Sequence, residues 1–250
     1  MNAPVPQPPI PATRQPFFNI PPVLSGLIAL LLAIHAGRFF FWGIGSDTDI
    51  RAIIDFAFIP IRETHPDAYT DLAEAGLGPR IWTFLTYAFL HADWAHVGIN
   101  SVWLAAFGSP LARRFGPVRF LAYAAVGAIA GAATHLAIFP TSTAPVVGAS
   151  AAISALMAGA CRFVFEPSGP MWASVGIEAY RQPAAPLSRV IRNGRVLAFL
   201  GVWFGLNIVF GLTGGAGLAS GAVAWDAHIG GFVVGLIFFR LFDPVPGPRL

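Results

Sequence analysis

Six stretches of the chain are apolar over much of a membrane-spanning length: about residues 22–41, 95–111, 120–139, 150–164, 196–212 and 224–241. A helix needs roughly 20 apolar residues to cross about 30 Å of hydrocarbon, so the pattern predicts six transmembrane helices. The fourth stretch is short, which fits a helix that starts inside the membrane. Between the first and second, residues 43–80 break the pattern with Asp47, Asp49, Asp55, Glu63, Asp67, Asp71 and Glu74, seven of the twelve acidic residues. Within that loop Ile50, Ile53, Ile54, Ala57 and Phe58 recur at helical spacing beside Asp49, Arg51 and Asp55. They predict a short amphipathic helix in the outer interface. The opening segment, MNAPVPQPPIPATRQP, reads as an extended, disordered arm and lacks the charged and apolar regions of a signal peptide. The expected organisation is a tail over residues 1–20, a six-span membrane unit over 21–242 and a second tail over 243–250.

Composition supports the same class. The chain is 56% hydrophobic and 11% charged, with a mean hydropathy of +0.67. Soluble domains carry about 25% charged residues, so a disordered chain is excluded and an ordinary cytosolic enzyme is disfavoured. All fifteen basic residues are Arg and sit in short loops. They do not form the clustered basic face of a nucleic-acid binder, and no nucleic-acid partner is expected. Eleven of them fall on the side shared by the two termini and four on the other, so the positive-inside rule places both termini in the cytoplasm. The absence of Lys leans toward an Arg-biased bacterial genome and hence the bacterial cell membrane. Cys161 is the single cysteine, which leaves no internal disulfide and no thiolate cluster, and neither cofactor nor metal is expected. No internal repeat is visible, which weighs against an inverted-repeat transporter.

Polar residues inside apolar runs are costly unless satisfied or used, and three clusters stand out. In HADWAHVGIN, residues 91–100, His96 and Asn100 are four apart and share one helix face. His91 points elsewhere and reads as a cap or loop anchor. A zinc pair would want HExxH, which is missing. In PVVGASAAISAL, residues 145–156, a helix of small residues starts at about Ser150. A serine there meets unpaired N–H groups that favour a developing oxyanion, although small residues in membrane helices usually serve close packing. In WDAHIGGFVVG, residues 225–235, His228 precedes Gly231 and Gly235, a GxxxG face that admits a neighbouring helix. Asp226 is about 200° around that helix from His228 and cannot orient its imidazole.

Together these are the parts for acyl transfer: Ser150 as nucleophile, His228 as its base, and His96 with Asn100 as oxyanion donors. With no third carboxylate in place, the arrangement reads as a dyad. The order His-x4-His-x3-Asn, Gly-x-Ser and Ala-His-x-x-Gly-x-x-x-Gly resembles the rhomboid family of intramembrane serine proteases, over about residues 80–240. The resemblance implies an all-α membrane protein, a six-helix bundle with its active site a few ångströms below the outer surface. It implies Ser150 and His228 as the catalytic pair, His96 and Asn100 in the oxyanion hole, and His91 in support. Transmembrane protein substrates and the lipid bilayer are the implied partners. Three positions depart from the usual family pattern. Ala151 stands where Gly usually follows the serine, Ser154 stands where an aromatic often stacks on the imidazole, and Thr83 replaces the Arg after Trp82. The alternative is a rhomboid-like pseudoprotease that binds transmembrane segments without cutting them. A small transporter using His96, Asn100 and His228 as a polar path is a third class. An aspartyl intramembrane protease would need two intramembrane aspartates, and only Asp93 and Asp226 lie near the spans, at their edges.

Overall fold

The computed structural model describes residues 19–67, 76–171, 177–213 and 224–246. The expected N-terminal arm lies almost wholly outside them, as do Asp71 and Glu74 of the acidic loop and the last four residues. The described residues are helical, with strand-like pairing confined to one bridge between Phe58 and Val146.

Helix α1, Pro22–Gly37, opens on a proline at its first turn and runs on into a π-helical turn, Arg38–Trp42. Gly43, at φ +79°, ends it. The first loop then folds into α2 (Asp47–Phe56), α3 (Pro60–Thr64) and α4 (Leu77–Thr86). The amphipathic helix foreseen in this loop is α2, begun by Ser46, whose hydroxyl accepts from the Asp49 N–H. Its polar face is not all turned to solvent. Asp49 is buried and paired with Arg38 at 2.7 Å, and Arg38 also donates to the His91 carbonyl. Burial alone would raise the Asp49 carboxyl, but the hydrogen bonds from Arg38 and the Gly45 N–H hold it below the ordinary carboxylate range.

Beside Thr83, where the family pattern has an arginine, the loop supplies one from elsewhere. Arg62 of α3 is fully buried, donates to the Ala57 and Ile54 carbonyls and lies 3.5 Å from the Thr83 hydroxyl. Burial lowers the Arg62 pKa and raises that of its neighbour Glu63.

Helix α5, Trp94–Phe115, is capped by Asp93, which accepts from the His96 N–H at 2.7 Å. His91 is therefore not the cap. Its ring is buried and packs edge-on against His96, and it is the His91 carbonyl that ties the loop to Arg38. Gly116, at φ +75°, turns the chain so that Pro117 can begin α6, Pro117–Ile138. Helix α7, Ser150–Ala160, starts where the small-residue pattern placed it but ends four residues earlier than expected. Residues 161–165 turn instead, because Arg162 is drawn to the Ala185 and Leu236 carbonyls. After the short α8 (Leu187–Val190) come α9 (Gly194–Thr213) and α10 (Trp225–Phe242).

A helix lies in each of the six apolar stretches. Among the described residues, three of them, Pro22–Trp42, Pro117–Ile138 and Trp225–Phe242, are long and apolar enough to cross a membrane. Large apolar side chains face outward along them, among them Leu30, Leu121, Ile129, Ile237 and Leu241. The protein is an integral membrane protein.

The centre of the bundle is where α6, α7 and α10 meet, and glycines let their backbones touch. A Cβ on Gly231 would lie 2.1 Å from the Ala151 carbonyl oxygen, and one on Gly235 2.6 Å from the Ala155 Cα. On the α6 side, Gly127 and Gly131 face the Ala155 and Ala151 methyls in the same way, each at 2.4 Å. Tyr123 adds hydrogen bonds to the Ala155 and Gly235 carbonyls.

Candidate active site

The turn that delivers Ser150 is set by Gly148. Its φ of +118° is strained for any side chain, and a Cβ there would lie 2.6 Å from His96 Nε2 and 3.6 Å from Asn100 Nδ2. Its N–H donates to the Tyr87 carbonyl at 3.0 Å. The tyrosine hydroxyl in turn reaches the Ala128 carbonyl on α6. The backbone before the serine is thus pinned from three sides, and Ser150 opens α7 half-buried.

His228 lies one turn into α10. Because Gly231 lets α10 rest on the α7 backbone, the imidazole reaches the serine: His228 Nε2 is 2.6 Å from Ser150 Oγ. The structure thus brings these two side chains within hydrogen-bonding distance. His96 and Asn100 share one face of α5, as the four-residue spacing predicts, and both point at the Gly148 turn. His96 Nδ1 accepts from the Ala92 N–H at 3.4 Å, which leaves the proton on Nε2, the nitrogen nearest the turn. Ser150, His228 and His96 line a cavity of about 710 Å³, whose wall also includes Arg38, His91 and His135. Asp226 is turned away from His228, as its place on the helix predicts, and its carboxylate meets His135 Nδ1 on α6 at 2.7 Å.

One residue of the site was not foreseen. Asn207 on α9 bonds through Oδ1 to His228 Nδ1, while its Nδ2 donates to the Trp203 carbonyl at 2.8 Å. The Trp203 ring lies beside the imidazole, 6.1 Å between centroids and tilted by 38°. A signal for Asn207 was available. It is the single amide in the apolar run of the fifth stretch, and an amide there needs a partner.

The residues from 78 to 243, two thirds of the chain, match the family model described as the Rhomboid domain. The chain belongs to the rhomboid family. It is 38% identical over 82 residues to Rhomboid-related protein 3 of Homo sapiens, a stretch covering 32% of this chain and 20% of the human protein. The chain therefore spans about a fifth of the length of that curated relative.

As a rhomboid, the protein accommodates two of its departures locally. The Ala151 methyl points at α6, where Gly131 leaves room for it. Ser154 donates its hydroxyl to the Ser150 carbonyl at 2.7 Å and offers the imidazole no ring. The aromatic neighbour of His228 comes instead from α9, as Trp203.

Proposed function

We propose that this rhomboid is an intramembrane serine endopeptidase that hydrolyses peptide bonds in or near transmembrane segments of membrane-protein substrates. The observation that carries the reading is the 2.6 Å contact between Ser150 Oγ and His228 Nε2, made between two helices whose backbones touch. In this reading the chain crosses the bilayer six times with both termini cytoplasmic, and the cavity opens toward the outer face.

The chemistry follows from the positions. Ser150 Oγ attacks the scissile carbonyl while His228 Nε2 takes its proton. The carbonyl oxygen, now negative, is held by His96 Nε2–H, the Asn100 amide and backbone N–H groups at the start of α7. Such donors act strongly in a site of low dielectric. The tetrahedral centre collapses, the C–N bond breaks, and His228 gives its proton to the leaving amine. A water then attacks the acyl ester with His228 again as base, which frees the new carboxyl end and restores the serine. Substrate segments that unwind easily are favoured, because a peptide bond inside a regular helix has its carbonyl shielded.

The test is cleavage of a single-span test substrate together with labelling by a serine-directed fluorophosphonate, on protein purified in detergent. Ser150→Ala and His228→Ala should each abolish both, with unfolding temperature retained. Full cleavage by Ser150→Ala overturns the assignment. A folded wild-type chain that binds the substrate but neither cuts it nor labels would instead be a binding pseudoprotease.

A further inference from the structure

We infer that Asn207 is the positioning residue for the catalytic imidazole, so that the working unit is Ser150–His228–Asn207 and its third member comes from α9. The inference rests on the proposed roles of Ser150 and His228 and adds a residue that those roles alone do not require.

Three observations carry it. The first is the direction of the amide. Asn207 Nδ2 is engaged by the Trp203 carbonyl one turn back on the same helix, so the oxygen end faces His228. An amide oxygen only accepts, and the Nδ1 it meets must therefore carry the proton. Nε2 is then bare and able to accept from Ser150 Oγ, the one tautomer in which the imidazole can act as base. The second is the lack of a competitor among the described residues. Asp226 is committed to His135 across α6, and Ser154 is committed to the Ser150 carbonyl. The third is the wall behind the imidazole. Trp203 stands beside His228 and stacks on Phe232 at 28° between planes, so ring and amide from consecutive turns of α9 fix both the tilt and the rotation of the imidazole.

An amide differs from a carboxylate in this place. It orients the ring and selects the tautomer but brings no negative charge to the imidazolium formed during the reaction. Related arrangements with asparagine as the orienting group exist in cysteine proteases. Among the described residues, the titratable groups acting on His228 are Asp226, held by His135 of α6, and His96 of α5. Helix α7 presents none, and the described part of α9 presents none in that direction. A carboxylate at 207 would therefore be the nearest unpaired charge. It would stabilise the imidazolium and raise the pH at which the base becomes free.

The experiment compares wild type with Asn207→Ala, Asn207→Leu and Asn207→Asp in the full chain, reading kcat and KM for the single-span test substrate, the fluorophosphonate labelling rate and the pH profile of each. Asn207→Ala should lose about ten- to a hundred-fold in kcat and in labelling rate. That is at or below the loss of about 10²–10⁴ expected when general-base catalysis is removed altogether. KM should stay within about two-fold. Asn207→Asp should recover most of the rate at high pH, with its acid limb moved to higher pH by about one unit. A wild-type kcat and pH profile in Asn207→Ala overturns the inference and leaves the Ser150–His228 assignment standing. A loss shared equally by all three variants, with lowered unfolding temperature and no recovery in Asn207→Asp, also overturns it, because the bond would then be only a tie between helices. Failure of the wild type to cleave or label, or full activity of Ser150→Ala, strikes the underlying assignment instead.

Discussion

Helix α10 is held by two of its neighbours, α7 and α9, in opposite ways. Against α7 it rests backbone on backbone: neither Gly231 nor Gly235 could take a methyl without striking Ala151 or Ala155 main chain. Against α9 it is met by side chains, with Trp203 and Phe204 on Phe232 and Asn207 on His228. Glycines also occur on α9, yet a Cβ added to Gly201 or Gly205 would meet nothing within 4 Å. Val202 and Ile208 of that helix are more than half exposed. The same residue type therefore does different work on the two sides. On the α7 side the glycines fix a distance between backbones that cannot be adjusted by a rotamer change, and that distance sets the gap between Ser150 and His228. On the α9 side no such distance is fixed, and one hydrogen bond and a few rings define how the imidazole is turned.

The harshest way to break the comparison is Gly231→Val. The added carbons would sit on the Ala151 carbonyl, which belongs to a buried backbone that cannot step aside, so α7 and α10 must separate. The expected cost is beyond about 5 kcal/mol, in the exceptional range for a single substitution, with little folded protein recovered and no fluorophosphonate labelling. Thermal unfolding in detergent checks it. Near-normal stability would mean that the glycine contact does not set the distance between the helices.

A second cut acts at the other end of α10. The buried Arg114 of α5 grips Asp243 through two bonds of 2.8 Å and donates to the Tyr180 and Gln182 carbonyls. Its guanidinium also lies over the Phe163 ring at 4.6 Å. Arg114→Ala leaves a buried carboxylate without its partner and should cost about 3–5 kcal/mol, read as a lower unfolding temperature. The labelling rate of the molecules that remain folded should be unchanged, since the Ser150 end of α7 is held by Gly148, Tyr87 and the glycine face. A matching loss of labelling rate would show that the far end of α10 sets the geometry of His228.

The legible parts of the molecule were those whose signal lies within one segment. Ser150 could be placed because a run of small residues starts a helix there, and His228 because Gly231 and Gly235 follow it at a spacing that implies a close neighbour. The His96–Asn100 face needed only the helical period. Asp226 could be set aside by its angle on its own helix. What escaped the sequence involves partners far apart in the chain. Asn207 meets a histidine 21 residues later, across a connection whose path no local pattern gives. Arg38 and Asp49, and Arg62 and Thr83, are pairs of the same kind that tie the first loop to the helices flanking it, with Asp49 and Arg62 of the loop turned inward. The room for the Ala151 methyl depends on Gly131, which sits in a stretch that reads only as an apolar span. The end of α7 is decided by Arg162, whose acceptors lie on two later segments.

The mildest test returns to α9. Gly201 and Gly205 are exposed, helical and without neighbours at the Cβ position, so an alanine there adds a methyl to open space. Glycine in a helix interior costs backbone entropy on folding, and replacing it where the conformation is already helical should stabilise by about 0.4–1 kcal/mol per site. Gly201→Ala and Gly205→Ala are therefore expected to raise the unfolding temperature slightly, singly and together, with labelling and cleavage unaltered. Gly131→Ala on α6 is the matched control. The added carbon would lie 2.4 Å from the Ala151 methyl and 3.0 Å from both the Ala227 carbonyl and the Tyr87 hydroxyl, so the same chemical change must lower stability there and disturb the backbone that carries the serine. Opposite signs from one substitution type would establish that fixed spacing belongs to α6, α7 and α10 alone. A loss at Gly201 or Gly205 as large as that at Gly131 would mean that α9, too, is positioned by direct backbone contact, and the contrast between the two sides of α10 would disappear.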